Sequence, residues 1–144
     1  MSPEEKRSFY ARQASSTRGI RLHVYRLTGL ANLVDVLEVG CGTGAVLSEI
    51  SARCSGRIVG LDSDVELLAA RLAGNDILSV GGSASSLPLA DSSFDVVLTH
   101  FLFMWLADPV SAVVEMKRVV RQGGWIVALA EPDYGGWIDH PEGI

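Results

Sequence analysis

Glu38, Gly40, Gly42, Gly44 and Asp62 are the residues of this chain whose types and spacing could do chemistry. The stretch Val36-Leu37-Glu38-Val39-Gly40-Cys41-Gly42-Thr43-Gly44 reads as a buried strand running into a glycine turn, with an acid two residues ahead of the first glycine. Main chain that bare lets a ligand lie almost on the backbone, because no side chain holds it away. A second acid, Asp62, closes the next strand in Gly56-Arg57-Ile58-Val59-Gly60-Leu61-Asp62. Together these segments form a βαβ unit with a carboxylate at each strand end, suited to a ligand that carries hydroxyls and a positively charged amine. The glycines alone report a tight turn and do not choose between ligands.

The elements that must position these residues alternate along the chain. Ser2-Pro3-Glu4-Glu5 is a capping box that opens a helix running to about Ala14. After Ser15-Ser16-Thr17, a second helix from Arg18 to Leu27 puts Ile20, Val24 and Leu27 on one stripe, expected to pack on the sheet. Strands follow over 34–39, 57–61, 77–80, 94–99 and 125–130. Between them lie helices from Gly44 to Cys54, from the Ser63-Asp64-Val65-Glu66 capping box through Leu72 to a stop at Gly74, and from Asp108-Pro109 to Gly123-Gly124. Val46, Leu47, Ile50 and Cys54 face the sheet from the first of these helices, and Val110, Val113, Val114 and Lys117 share a side of the last. Such alternation implies parallel pairing with right-handed crossovers, hence an α/β fold with a Rossmann-like, doubly wound, mostly parallel sheet. Ligands in such sheets sit beyond the carboxyl ends of the strands where strand order reverses, so the ends of strands 1, 2 and 4 should surround one crevice.

Composition narrows the function. A chain of 144 residues, 48% hydrophobic, is about one domain long and can bury a core. Seventeen acids against twelve Lys and Arg leave a formal charge of −5, which disfavours nucleic acid as a partner. Cys41 and Cys54 have no CxxC spacing and the histidines lie far apart, so neither a metal site nor a disulfide framework is expected. The polar start Met1-Ser2-Pro3-Glu4-Glu5 lacks a signal-peptide pattern, and the apolar run near Phe101 to Ala107 is far short of the roughly 20 residues that span a bilayer. A cytoplasmic protein with no membrane partner is the expectation.

Three segments together resemble the class I S-adenosylmethionine-dependent methyltransferases, with a methyltransferase type 11-like domain. They are the turn from Glu38 to Gly44 with Asp62, the run Leu87-Pro88-Leu89-Ala90-Asp91-Ser92-Ser93-Phe94-Asp95-Val96-Val97, and Arg118-Val119-Val120-Arg121-Gln122-Gly123-Gly124. The likeness covers roughly residues 33 to 132 and implies S-adenosyl-L-methionine as cofactor. On the family pattern, Glu38 lies near the methionine amine and Asp62 accepts from the ribose hydroxyls. Gly40, Cys41, Gly42 and Gly44 form the turn, the helix start near Gly44 faces the methionine carboxylate, and Ser63, Ser83, Ala84 and Thr99 complete the cofactor-binding set. Ser83 departs from the pattern, which usually has aspartate there for the adenine amino group; a hydroxyl accepts without the charge, and Leu61 and Leu87 are expected against the ring. N-terminal helices of the family lie over the cofactor, which would bring Tyr10, Arg12 and Gln13 to the methionine end. The domain division implied is a helical segment over 1–30, a cofactor-binding Rossmann-like domain over 31–132, and a tail over 133–144.

Methyl transfer asks mainly for placement of an acceptor in line with the methyl group and exclusion of water. Should the acceptor have to lose a proton, His100 is the candidate catalytic residue, with Glu131 and Asp133 beside it. Asp95 reads as structural, and the run Phe101, Phe103, Met104, Trp105 as lid or core with Trp105 near the pocket. The family domain continues past the fifth strand with a helix and two further strands, so Trp125 to Ala130 is expected as an exposed apolar edge. It would be completed by a second polypeptide or, failing that, by a second copy of the chain. The methyl acceptor is not identified. Two other functions fit parts of the pattern: a non-catalytic cofactor-binding or scaffold subunit, and an NAD-dependent oxidoreductase, because Gly40-x-Gly42-x-x-Ala45 with Asp62 also fits a dinucleotide fingerprint. Glu38 and the two downstream segments weigh against the latter.

Overall fold

In chain order the elements are α1 (Pro3–Ser16), α2 (Arg18–Leu27), β1 (Val36–Val39), α3 (Ala45–Ser51), β2 (Ile58–Asp62), α4 (Val65–Ala69), β3 (Ile77–Gly81), β4 (Phe94–His100), α5 (Pro109–Val119) and β5 (Val120–Leu129), with a 3-10 turn over Phe103–Trp105. The computed structural model describes residues 1–32, 34–69 and 76–131. The expected helix end at Leu72 and Gly74 and the segment from Pro132 onward, Asp133 included, lie outside them.

All strands pair parallel in the order β3-β2-β1-β4-β5, so the order reverses between β1 and β4. β1 is the central strand and all four of its residues are buried, which is why an acid at position 38 is taken out of water. On one face Val36, Val96, Leu98 and Leu129 pack with Leu47 and Ile50 of α3 and with Ala14, Tyr25 and Leu30 from the N-terminal segment. On the other, Leu37, Val39, Val59 and Val97 pack with Ala112, Met116 and Val119 of α5. Full burial of one such aliphatic side chain is worth about 1.5–3 kcal/mol.

An ionic lattice ties the amino ends of the strands. Arg121 reaches Asp95 and Asp35, each at 2.8 Å, Asp95 accepts the Asp35 N–H at 2.7 Å, and Arg57 pairs with Asp35 at 3.6 Å while its guanidinium lies over the Phe94 ring. Asp95 is therefore structural, at the opposite end of the sheet from the glycine turn. Backbone and Arg121 hydrogen bonds outweigh burial and keep its carboxyl below the usual aspartate range.

Local chemistry explains most boundaries. Ser2 and Glu5 form the reciprocal capping box, and Asp108 caps α5 ahead of Pro109. At α4 the cap is Asp64 rather than Ser63, since its Oδ1 accepts from both Glu66 and Leu67. β5 starts at Val120, five residues earlier than expected; a bulge opposite Phe94 to Val96 absorbs Arg121 to Gly124, and Gly123 takes φ +79°.

Two helices bury a side other than the stripe read in their sequence, though Val24 of α2 still packs against the core. On α2 the buried residues are Arg21 and Tyr25, while Ile20 and Leu27 are exposed. The helix can turn its charged side inward because Glu49 of α3 neutralises Arg21. On α5 Ala112, Met116 and Val119 are buried and Val110, Val113 and Val114 are exposed. The small Ala112 lets this helix approach the sheet closely.

Candidate functional site

Beyond the carboxyl ends of β1, β2 and β4 lies a cavity of about 370 Å³. Its wall includes Glu38, Gly40, Cys41, Gly42, Asp62, Ser63 and His100 from the expected set, and Tyr10 and Gln13 from α1. Trp105 stands at its rim with 76% of its surface exposed. Gly44, Ser83, Ala84 and Thr99 are not part of the wall. Thr99 is fully buried and donates to Glu131 at 2.9 Å, Ala84 is core, and the Ser83 hydroxyl accepts the Ser85 N–H. Arg12 donates to Ser8 on its own helix and also lies outside.

The glycine turn is built by backbone geometry that other residues adopt at a cost. Gly40, Gly42 and Gly44 have φ of +75°, +52° and +78°, in the left-handed region. A Cβ on Gly40 would sit 2.6 Å from Leu102 Cδ1, so this glycine also makes room for the loop after β4. Asp62 braces the turn: one carboxylate oxygen accepts the Gly42 N–H at 2.7 Å, the other the Asp64 N–H at 2.9 Å. Each oxygen keeps a lone pair for a further donor.

Glu38 is in a different state. It is 2% exposed, and its Oε2 is buried with no hydrogen-bond partner. Burial pushes its carboxyl well above the usual glutamate range and the neighbouring Asp62 charge adds to this, against the opposing pull of Arg21 and of the Leu47 N–H. An unpartnered acceptor in a cavity wall is costly unless a donor arrives. The donor that answers it best is a cation with several N–H groups, such as an alkylammonium.

Two further groups have roles that the sequence did not show. Glu131, considered above as a proton acceptor, holds the loop after β4 by accepting from Thr99, from the Leu102 N–H at 2.8 Å and from the Phe103 N–H at 2.9 Å. The loop needs holding, because Phe101 in the cavity wall has φ +53°, a conformation that bulky residues rarely adopt. Arg21, 2% exposed, donates to the Ala14 carbonyl, to Thr17 Oγ1 and to Glu49. Thr17 Oγ1 lies 2.8 Å from His100 Nε2, closer than its carbonyl alternatives at 3.3 Å. Thr17 Oγ1 thus joins the Arg21 guanidinium to the ring, the direction of its bond to Nε2 being set by the imidazole tautomer. Burial and the Arg21 charge pull the His100 pKa down to about 4, so the ring is neutral at physiological pH, with its Nε2 engaged by Thr17.

Comparison with known proteins follows this geometry. A family model described as a methyltransferase domain matches residues 37–128, from β1 into β5. The chain belongs to that methyltransferase family. It is 33% identical over 132 residues to demethylmenaquinone methyltransferase of Roseiflexus castenholzii, covering 84% of this chain and 56% of that protein. It is 32% identical over 134 residues to human thiol S-methyltransferase TMT1B, covering 85% and 54%. Among solved structures, a SAM-dependent methyltransferase from Aquifex aeolicus superposes with a TM-score of 0.63 at 25% identity, over 69% of this chain and 57% of that one. The chain thus spans about half the length of these relatives. The resemblance read from the three segments and the parallel α/β fold are both correct, and S-adenosylmethionine is the cofactor of this family. Among the described residues no helix is long and apolar enough to cross a membrane.

Proposed function

We propose that this chain binds S-adenosyl-L-methionine and is the cofactor-binding part of a methyltransferase. The observation that carries the reading is Glu38 Oε2, buried in the cavity wall without a partner beside a glycine turn braced by Asp62. When bound, the cofactor supplies a methyl group on a sulfonium sulfur to a nucleophile. Glu38 would receive the ammonium group, Asp62 would accept from the ribose hydroxyls with its free lone pairs, and Gly40 and Gly42 would leave the backbone open beside them. Tyr10, Gln13 and Phe101 would shield the reacting centre from water. His100, neutral and engaged by Thr17, would shape the wall rather than take a proton.

A dinucleotide fits the same turn less well. Its pyrophosphate would bring negative charge toward two carboxylates, one of them buried and short of donors. The acceptor would enter past Phe9 and Trp105, a rim that suits a small apolar molecule better than a nucleic acid. The names of the relatives, which act on demethylmenaquinone and on thiols, agree with a small acceptor. Completion by a second polypeptide, or by a second copy, is supported by the exposed Trp125 and Ile126 on the outer strand β5 and by the exposed Val110 and Val114 on α5. A cytoplasmic location and the division into a helical cover, a cofactor domain and a tail belong to the same reading.

Calorimetric titration of the full chain with S-adenosylhomocysteine, and separately with NADH, tests the proposal. Binding of the first and not the second is expected. The opposite result would replace it with the oxidoreductase reading, and silence toward both would remove the cofactor role.

A further inference from the structure

Behind the cavity wall three elements meet on one buried guanidinium. Arg21 of α2 donates at 2.5 Å to the Ala14 carbonyl of α1 and at 2.5 Å to Thr17 Oγ1, and pairs at 3.1 and 3.2 Å with the two carboxylate oxygens of Glu49 on α3. Thr17 carries the connection to His100 at the end of β4. Ala14 and His100 are both wall residues, and Glu38 shares that wall. Arg21 itself does not reach the cavity. We propose that Arg21 is a positioning residue of the cofactor site, setting the wall around Glu38 by clamping α1, α3 and β4 together from behind.

The alternative is that Arg21 is a buried ion pair serving the fold alone. An ion pair needs Glu49, but it does not need two further donations to groups that lead to the cavity wall. Electrostatics points the same way. The groups that act on Glu38 are Arg21 from α2, the Leu47 N–H from α3 and Asp62 from β2, with Tyr25 of α2 coupled to it; Glu49 of α3 faces it through Arg21, and His100 of β4 shares its cavity wall. Arg21 is the cation among the groups that act on Glu38, and it opposes both burial and Asp62, so ionising that carboxyl is easier in its presence. The same charge adds to burial in holding His100 neutral, so that no second cation competes with an incoming ammonium group. Loss of Arg21 would move both groups in the direction that weakens ammonium binding.

This inference rests on the cofactor reading, and the test separates the two. Wild type, Arg21→Met and Arg21→Lys are titrated with S-adenosylhomocysteine, which carries the amino-acid portion, and with methylthioadenosine, which lacks it. Arg21→Met is expected to weaken the first ligand by roughly tenfold or more at pH 7 while leaving the second within about twofold, and Arg21→Lys to recover part of the loss. As pH is lowered, affinity for the first ligand should begin to fall at a higher pH in Arg21→Met than in wild type. Equal loss for both ligands, or no loss, overturns the inference, because a purely structural defect cannot sense the ammonium group. Failure of the wild type to bind S-adenosylhomocysteine overturns the cofactor reading and takes this inference with it. If Arg21→Met does not give a native circular dichroism spectrum, Thr17→Val decides. It cuts the tie to His100 while leaving the Arg21–Glu49 pair intact. Selective weakening of S-adenosylhomocysteine supports the clamp, and behaviour identical to wild type overturns it.

Discussion

Replacing Glu38 with glutamine should make the protein more stable and less able to bind its cofactor. The carboxylate is 2% exposed, one oxygen has no partner, and its favourable cation, Arg21, is already bound to Glu49. Removing the charge therefore leaves no new ion unpaired, and the Gln oxygen can still accept the Leu47 N–H. An unsatisfied buried group costs about 1–3 kcal/mol and a charged one more, so the neutral amide, though also short of a partner there, is the less costly occupant. With the field of Arg21 offsetting part of that, Glu38→Gln should gain about 1–2 kcal/mol at pH 8, or roughly 3–8 °C in Tm for a chain of this size.

The pH dependence gives the sign. A carboxyl raised in the folded state binds more protons there than in the unfolded chain, so its contribution falls as pH rises from the unfolded value of 4.5 through the folded one. The advantage of Glu38→Gln should be small near pH 4.5 and grow toward pH 8, measured by urea denaturation across that range. Affinity for S-adenosylhomocysteine should move oppositely. Losing the charge-assisted contact with the ammonium group should cost about 2–3 kcal/mol, roughly 30- to 150-fold in Kd. A variant that binds within about threefold of wild type, or that is destabilised by more than about 1 kcal/mol at pH 8, would refute the reasoning.

Other outcomes follow from the same contacts. Glu131→Gln should loosen the loop holding Phe101, because Oε1 accepts the Leu102 N–H and Oε2 the Phe103 N–H, and an amide nitrogen in place of either oxygen cannot accept; hydrogen exchange at one of those two amides should rise while β1 stays protected. Gly40→Ala meets both a left-handed φ and Leu102 at 2.6 Å, and should cost about 2–4 kcal/mol in a denaturant melt. Gly42→Ala, whose added Cβ would find only Tyr10 at 3.8 Å, should cost about 1 kcal/mol. In an NMR titration the His100 ring should stay neutral until about pH 4; an ordinary histidine midpoint would show that the Thr17 and Arg21 contacts do not form in solution. Arg121→Ala leaves Asp35 and Asp95 facing each other at the foot of the sheet, so it should lower stability by about 1–2 kcal/mol, with a smaller effect in high salt.

The succession of strands and helices, and the parallel pairing it implies, were legible because they rest on hydrophobic patterning and turn chemistry, which are local. The caps at Ser2 and Asp108 and the inward face of α3 are read from neighbours three or four residues apart, and the structure agrees. Helix α2 shows where this stops. Ile20, Val24 and Leu27 form a valid apolar stripe, but the helix turns Arg21 inward because a partner 28 residues away neutralises it. No window of one helix contains that information. The same holds for the bulge in β5, which answers to Asp35 just before β1 and Asp95 in β4.

At the candidate site, type and spacing brought Glu38 and Asp62 to adjacent strand ends, but they did not distinguish the two acids. Their environments do. Asp62 spends both oxygens on the Gly42 and Asp64 N–H groups, so its charge is compensated by the turn it builds. Glu38, one strand closer to the centre of the sheet, has burial and the Asp62 charge against it and an oxygen with nothing to accept. Two like charges so placed are tolerated because one of them can hold a proton until a cation takes its place. Binding of an ammonium group at Glu38 is thereby coupled to release of that proton. Binding of an ammonium group must therefore offset the work of ionising a buried carboxyl through its charge-assisted contact, so its affinity, unlike that of a neutral ligand, should fall as pH is lowered.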